Sequence, residues 1–252
     1  MIELVNVKKG FGAKVVVNGV SAVMKSSTTN LIIGSSGSGK TVLLKCMIGL
    51  FKPDEGQVLY EGIDLYSMNE GQLKEVRKQI GMLFQGSALF DSKTVKENVQ
   101  FPLDMFTNFT TLEKEKRVDE VLERVRIEGA HLKSPSEISG GMKKRVALAR
   151  AIVLNPKYLF CDEPNSGLDP QTSIVIDELI KEITEDYKMT TIINTHDMNT
   201  VMESGDHILY MHNGVKQWEG SSKDIFTSQD ALLNNFVFAS SMLRELREFK
   251  QR

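Results

Sequence analysis

Residues 34–41 of this chain read Gly-Ser-Ser-Gly-Ser-Gly-Lys-Thr, which matches the pattern G-x-x-x-x-G-K-[ST]. An apolar run at residues 31–33 predicts a strand before this loop, and the apolar spacing over residues 40–49 predicts a helix after it. Glycines let successive backbone N–H groups point at phosphate oxygens, and the N-terminus of the helix adds partial positive charge. The sequence therefore predicts a strand–loop–helix unit that binds the phosphates of a nucleotide.

This phosphate loop supplies eight candidate nucleotide-binding residues: Gly34, Ser35, Ser36, Gly37, Ser38, Gly39, Lys40 and Thr41. In the mechanism that the pattern serves, Lys40 supplies a charge for the β and γ phosphates and Thr41 supplies a hydroxyl ligand for Mg²⁺. A flexible glycine–serine linker is the alternative. It is disfavoured because a linker needs neither Lys40 nor Thr41, nor the apolar residues that follow directly.

Strands and helices alternate through the rest of the chain. The predicted strands lie within residues 1–33, 158–161 and 190–193, and the further predicted helices cover residues 111–127, 142–154 and 173–185. This order predicts an α/β fold with a mostly parallel sheet and crossover helices. Hydrophobic residues make up 41% of the chain and charged residues 25%, which excludes disordered and fibrous classes.

The charge balance excludes a broadly cationic protein. The chain has 31 Lys and Arg residues against 33 Asp and Glu residues, a formal net charge of −2, which disfavours a nucleic-acid partner. The longest apolar runs have four residues, whereas a membrane-spanning helix needs about 20. Cys46 and Cys161 lie in apolar surroundings, so we expect two buried thiols in a reduced, cytoplasmic protein.

Two carboxylates follow the strand predicted at residues 158–161. Asp162 and Glu163 would lie at the carboxyl edge of the sheet, where α/β folds place their ligands. Asp162 fits a Mg²⁺ partner that acts through water, and Glu163 fits a base that activates the attacking water. Without a phosphate loop in the same chain, such a pair would more often be a helix cap or a solvated turn.

A second turn of small residues precedes the helix predicted at residues 142–154. It consists of Ser139, Gly140, Gly141 and Met142, and it begins 23 residues before Asp162. A helix N-terminus of this kind is a preformed anion site, yet one nucleotide has no use for two such sites on one chain. The pattern resembles the signature motif of ABC ATPases. In that family the signature of one subunit closes over the γ-phosphate held by another, so two subunits enclose two ATP molecules.

The resemblance to ABC ATPases covers residues 1–220 and implies further site residues. It implies Phe11 as the aromatic that stacks on adenine, Gln85 as the sensor of Mg²⁺ and the attacking water, Asp169 in the loop that crosses to the partner subunit, and His196 as the switch histidine near the γ-phosphate. The implied catalytic residues are Glu163, His196 and Gln85, and the implied Mg²⁺ ligands are Thr41, Gln85 and, through water, Asp162.

Three positions depart from the family pattern. Met142 stands where the commonest signature has Gln, residues 25–30 lack the Gly-Glu pair usual before the phosphate-loop strand, and Asn165 replaces the usual Thr-like residue. Lys143 and Lys144 follow the signature and have no assigned function. We interpret both as part of a solvated, charged helix face.

The resemblance also implies the domain organisation. The expected fold is a P-loop NTPase core of α/β class with a mostly parallel sheet, an N-terminal antiparallel β subdomain and an inserted α-helical subdomain at about residues 86–155. Residues 1–220 would form the ATPase domain and residues 221–252 a C-terminal helical extension. In that extension Leu232, Phe236, Ala239, Leu243 and Leu246 have the spacing of a helical seam. The seam would pack on its own domain or contact a partner subunit.

ABC ATPases act with ATP and Mg²⁺, and many of them energise a permease that is a separate chain. Residues 85–103 lie where the family docks its permease. Together with residues 139–142 and 145–151, they look most like the ATPases of Mla/Mce phospholipid transport systems, which act with a periplasmic lipid carrier. Amino-acid importer ATPases share much of this pattern and are the alternative, and a soluble ABC ATPase without a permease is an alternative of another class. The implied partners are a second ATPase subunit, in a homodimer, and a permease at the cytoplasmic face of the inner membrane.

Overall fold

The computed structural model describes residues 1–250 as strands that alternate with helices. The strands are β1 Ile2–Phe11, β2 Lys14–Met24, β3 Thr29–Ile33, β4 Glu55–Tyr60, β5 Ile63–Asp64, β6 Ile80–Leu83, β7 Tyr158–Asp162, β8 Thr190–Thr195, β9 His207–His212 and β10 Val215–Gly220. The helices are α1 Lys40–Met47, α2 Glu70–Lys78, α3 Val95–Phe106, α4 Thr111–Arg124, α5 Gly140–Ile152, α6 Pro170–Asp186, α7 Met198–Ser204, α8 Ser222–Thr227, α9 Ala231–Val237 and α10 Ser241–Lys250. The first of two compact units holds Met1–Glu70 and the chain from Ile192 onward, and the second holds Gly71–Thr191.

An antiparallel sheet in the first unit has the strand order β2-β1-β4-β5. Ile2 of β1 pairs with Met24 on one side and with Tyr60 on the other, and all three side chains are buried. The register shifts after Leu4, near Asn6, whose φ of 50° is left-handed. Such a β-bulge bends the strand.

The first unit also contains a second group of strands, and the phosphate loop follows one of them, β3. β3 pairs in parallel with β9, with Ile32 opposite Leu209, and β10 is antiparallel to β9. All five residues of β3 are buried, as expected for a strand covered on both faces. α1 begins at Lys40, so the predicted strand–loop–helix unit is confirmed, although the helix ends at Met47 rather than near residue 49.

The turn before β3 is built without the Gly-Glu pair that the family pattern led us to expect. Instead, the Asn30 side chain closes the turn with two hydrogen bonds. Its Oδ1 accepts from the Lys25 amide at 2.7 Å, and its Nδ2 donates to the Lys25 carbonyl at 3.0 Å. Ser27 takes a left-handed φ of 56° within the turn. The buried His207 ring contacts the same Asn30 oxygen at 3.0 Å and the Glu219 carboxylate at 2.8 Å.

The second unit contains a parallel strand pair and a group of helices. β6 pairs with β7, with Leu83 opposite Cys161, so the residues that follow both strands leave the same edge. α4 buries Val118, Val121 and Leu122 and confirms the predicted amphipathic helix, although it ends at Arg124 instead of Ile127. Capping boxes fix the starts of α3 and α4.

The helical seam predicted in the C-terminal residues is wrong in its register. The chain breaks between α9 and α10, so no single helix carries the 4-3 spacing. The buried residues of α9 are Leu233 and Val237, whereas Leu232 of the predicted seam is 40% exposed. In α10, Met242 and Phe249 are 72% and 77% exposed.

Both cysteines are buried free thiols, as the sequence predicts. Burial raises the pKa of Cys46 to about 11 and also raises the pKa of Cys161. Among residues 1–250, no helix has the length and apolar character needed to cross a membrane.

Candidate nucleotide-binding site

The phosphate loop packs closely against its own unit at two glycines. A Cβ atom at Gly34 would lie 2.3 Å from the Met211 carbonyl oxygen, and one at Gly39 would lie 2.6 Å from the Val16 carbonyl oxygen. Gly39 also has a φ of 101°, which other residues rarely adopt. The loop is further fixed because the Ser38 carbonyl accepts from the Gly214 amide at 3.1 Å. Both glycines are therefore required by geometry.

Lys40 lies at the start of α1 and is buried. Its Nζ donates to the carbonyl oxygens of Gly34 and Ser35 at 2.8 and 3.2 Å. Ser35, Ser36 and Gly37 are exposed at the tip of the loop. The ammonium therefore lies inside the curve of the loop, where a phosphate group would meet its charge and the backbone N–H groups.

Two other predicted site residues belong to the first unit. Phe11, at the end of β1, is 47% exposed, and its ring lies edge-on to Phe51 with 5.3 Å between centroids. The Lys9 ammonium lies 5.5 Å from the Phe11 ring centroid. His196 follows β8 and is exposed. An exposed aromatic face and an exposed imidazole are accessible to a ligand, which the roles implied for Phe11 and His196 require.

The carboxylate pair lies where β7 ends, in the second unit. Asp162 is the last residue of the strand and is buried. Glu163 has a left-handed φ of 50°, and its carbonyl accepts from the Ser166 amide at 3.1 Å. A non-glycine residue in this conformation is strained and persists only where its surroundings hold it. Asn165, the unexplained departure, donates from Nδ2 to the Asp177 carboxylate at 2.9 Å and so ties this loop to α6.

Gln85 follows β6, at the same sheet edge as Asp162. Its Nε2 donates to the Ser166 hydroxyl at 3.2 Å. The structure thus brings Gln85 and the loop after Glu163 together within the second unit. Gln85 and Ser166 are 81 positions apart in the sequence, and no local pattern predicts this contact.

The signature turn begins α5. Ser139 is the N-cap, and its hydroxyl accepts from the Met142 amide at 3.2 Å. A Cβ atom at Gly141 would lie 2.5 Å from the Thr172 methyl group, so this turn lies against the start of α6. Asp169 caps α6 and accepts from the Thr172 amide and hydroxyl, and these bonds hold the pKa of the Asp169 carboxyl below its usual range. The signature turn and the Asp169 loop are therefore neighbours, and each starts a helix whose N-terminus favours an anion.

Comparison with known proteins shows to which family the chain belongs. A family profile described as "ABC transporter" matches residues 17–166, more than half of the chain. This chain belongs to the ABC transporter family. The methionine import ATP-binding protein MetN 1 of Oceanobacillus iheyensis is 42% identical over 242 residues, which cover 94% of this chain and 71% of that protein.

A second relative is described with a different transported substrate. The probable ribonucleotide transport ATP-binding protein mkl of Mycobacterium leprae is 35% identical over 236 residues, which cover 94% of this chain and 68% of that protein. Among solved structures, the dimeric ABC transporter cassette MJ0796 superposes with a TM-score of 0.81 at 32% identity, over 88% of this chain and 99% of that one. A further structure of MJ0796 is a dimer in a post-hydrolysis state bound to ADP and phosphate.

These similarities confirm the predicted fold class. The chain has the ABC ATPase cassette fold, of α/β class, with an N-terminal antiparallel sheet, a mostly parallel sheet and a helical subdomain. It is an ATPase of that family and binds ATP. The individual roles of the site residues remain predictions.

The interpretation of Lys144 as a solvated residue is wrong. Lys144, expected on a solvated helix face, is buried, and its Nζ donates to the Gln85 carbonyl. Burial lowers the pKa of Lys144, while the charges of Asp162 and Glu163 favour its protonated form. Helical spacing could have revealed this, because Lys144 lies three residues before the buried Ala147 and therefore on the same face of α5.

Proposed function

We propose that this ABC ATPase hydrolyses ATP as one half of a dimer and drives a separate membrane permease. The observation that carries the proposal is that one chain has two anion-binding helix starts, the phosphate loop before α1 and the exposed signature turn before α5. Family members use the second site on the ATP held by a partner. The dimeric cassette MJ0796 supports the same arrangement for this chain.

The residues present fit a Mg²⁺ ion carried by the nucleotide. Thr41, Gln85 and Asp162 offer hydroxyl, amide and carboxylate oxygens, the ligand types that Mg²⁺ prefers. In residues 1–250, no group of three or more His, Cys, Asp or Glu side chains is arranged to hold a metal ion. When bound, Mg²⁺ would supply positive charge that offsets the negative charge developing on the transferred phosphate group.

In the proposed reaction, the phosphate loop holds the β and γ phosphates and Lys40 balances their charge. Glu163 accepts a proton from the attacking water. Gln85 and His196 position that water and the γ-phosphate, and the signature turn of the partner encloses the site. Phe11 would stack on adenine, where an aromatic face adds binding energy without contacting the reacting atoms.

The direct test of this mechanism replaces Glu163 with Gln. Glu163→Gln keeps the size of the side chain but removes the base, so we expect ATP binding to persist while kcat falls by about 10² to 10⁴-fold. Glu185→Gln, an exposed position on α6, is the matched control and should keep wild-type turnover. Normal turnover in Glu163→Gln would exclude Glu163 as the base. Lys40→Ala should lose nucleotide binding in an ATP titration.

A cleft of about 280 Å³ in the second unit is the proposed docking site for the permease. Phe84, Phe90, Phe101 and Arg150 are among its lining residues, and the rings of Phe90 and Phe101 lie 4.8 Å apart. Phe90 is 40% exposed and lies within residues 85–103, the segment that resembles the permease-docking segment of the family. A cleft of this kind fits the apolar face of an amphipathic helix from the cytoplasmic side of a permease.

Phe90→Glu tests the docking site without touching the nucleotide residues. We expect this variant to lose co-purification with the permease in mild detergent while the isolated subunit keeps its ATPase activity. Phe109→Glu, at a phenylalanine that is 46% exposed and lies outside the cleft, should keep the permease. Equal loss in both variants, or in neither, would refute the assignment of the cleft.

For the cargo, the relatives favour the amino-acid alternative over the phospholipid interpretation. MetN 1 is described as a methionine importer subunit, and mkl as a probable ribonucleotide transport protein. We therefore propose import of an amino acid or another small solute. Phospholipid transport is the second candidate, because residues 85–103 and 145–151 resemble Mla/Mce ATPases.

Isolation of the native complex from the membrane distinguishes these cargoes. A permease with an amino-acid-binding protein, and ATPase activity stimulated by that amino acid, is the expected result. A lipid-carrier protein and stimulation by phospholipid vesicles would favour the second candidate. Recovery of the chain without any membrane protein would favour an ABC ATPase that works without a permease, and would also contradict the proposed location at the cytoplasmic face of the inner membrane.

A further inference from the structure

A buried lysine lies next to the signature turn in the second unit. Lys144 is on the first turns of α5, five residues after Ser139, and is 4% exposed. Burial of an ammonium group is costly unless its hydrogen-bonding groups find partners. The partners of Lys144 therefore indicate what this cation is used for.

Those partners are backbone carbonyls of two predicted catalytic residues. Lys144 Nζ donates to the Gln85 carbonyl and lies 3.4 Å from the Glu163 carbonyl. The same two loops meet again at Ser166, whose hydroxyl accepts from Gln85 Nε2 at 3.2 Å and whose amide donates to the Glu163 carbonyl at 3.1 Å. Lys144 thus completes a closed network that joins α5 to both loops.

The Glu163 backbone needs such support. Its φ of 50° is a strained conformation for a residue with a side chain. Lys144 contacts the backbone carbonyls of Gln85 and Glu163 and not their side chains. A cation in this position fixes the backbone from which the Gln85 and Glu163 side chains extend.

We propose that Lys144 is a positioning residue that fixes the Gln85 and Glu163 loops to the signature helix, so that these three parts of the site move together. The inference rests on the proposed function and adds to it a residue that the motifs do not include. Because α5 begins at the signature turn, any shift of that turn on dimer closure reaches both loops through one ammonium group. Lys144 itself touches neither nucleotide nor water in this role.

The test compares Lys144→Met with Lys144→Arg. Met has a similar length but cannot donate, whereas Arg keeps charge and donors. A displacement of about 1 Å at a reacting group can cost about 10²-fold in rate, so we expect Lys144→Met to lower kcat by about 10- to 100-fold. The KM for ATP and the affinity for ATP should change by less than about twofold, because the phosphate loop is untouched. Lys144→Arg should restore most of kcat.

Lys143→Met is the matched control on the same helix. The structure describes no side-chain hydrogen bond from Lys143 to any other of residues 1–250, and this variant should keep wild-type kcat and KM. If Lys144→Met does not fold, Lys144→Gln replaces it. Gln is too short to span both carbonyls, so kcat should again fall below that of Lys144→Arg.

Three results would overturn the inference. Wild-type kcat in the folded Lys144→Met variant would show that the network is not needed. A loss of kcat that Lys144→Arg does not restore, or a loss confined to ATP affinity, would assign Lys144 a purely structural or binding role. These results leave the proposed function intact when the wild-type chain hydrolyses ATP, whereas a wild-type chain without ATPase activity would refute both.

Discussion

Replacement of Gly39 by Ala tests whether the phosphate loop is held by its contact with β2. The backbone at Gly39 has a φ of 101°, so a side chain costs about 1–3 kcal/mol in strain. The new Cβ atom would lie 2.6 Å from the Val16 carbonyl oxygen. The backbone shift needed to accommodate this contact costs roughly a further 1–3 kcal/mol of stability. Alanine also lowers the conformational entropy of the unfolded chain, which raises the free energy of unfolding by only about 0.4–1 kcal/mol. We expect a net loss of about 3 kcal/mol in the free energy of unfolding.

Gly37→Ala in the same loop separates the two contributions. Gly37 has a φ of 80°, but a Cβ atom there would meet no atom within 4 Å. This control therefore carries the backbone strain without the overpacking, and it should lose about 1 kcal/mol. The difference between the two variants measures the packing around Gly39, in which the contact with the Val16 carbonyl oxygen is the shortest.

Urea denaturation without nucleotide is the assay. The single tryptophan, Trp218, lies on β10 in the same unit as the loop, and its fluorescence can be compared with circular dichroism of the whole chain. A loss of 3 kcal/mol lowers the midpoint by about 1–3 M urea with an unchanged slope. If Gly39→Ala and Gly37→Ala agree within about 0.5 kcal/mol, the argument from the Val16 contact is wrong.

Two further predictions follow from the second unit. Arg150 donates to the carbonyls of Ser87 and Ala88 at 2.8 and 2.7 Å, so Arg150→Met should lower the free energy of unfolding by about 2–4 kcal/mol in urea denaturation, and Arg150→Lys by less. Glu113 accepts from the Thr110 amide and hydroxyl at the start of α4, which lowers the pKa of Glu113. Its contribution to stability should therefore be complete above about pH 4.5 and be lost as the pH falls through the lower folded-state pKa. Glu113→Gln should flatten that acid loss in melting curves, and an unchanged pH dependence would contradict the capping interpretation.

Local patterns predicted the elements whose signals are local. The phosphate loop, α1 and β7 follow from glycine spacing and apolar runs, since both depend on residues near in sequence. Boundaries were less accurate, because caps decide them. The helix predicted from residue 173 begins at Pro170, where Asp169 accepts from the Thr172 amide and proline occupies the first helical position.

The features that sequence reasoning missed depend on distant partners. The environment of Lys144 is set by carbonyls at Gln85 and Glu163, 59 and 19 positions away. A charged residue after a signature motif gives no sign of those partners. The prediction of the seam failed for a local reason instead, because its 4-3 spacing continues across residues 238–240, where the helix stops.

The two buried thiols have a practical consequence for spectroscopy. Only a thiolate reacts readily with maleimides and oxidants, and burial keeps both Cys46 and Cys161 protonated and inaccessible at neutral pH. Thiol reagents should therefore not label the native chain. A single cysteine introduced at an exposed position, such as Ser36 at the loop tip or Ser136 before the signature, would carry one fluorophore or spin label without removal of either natural cysteine.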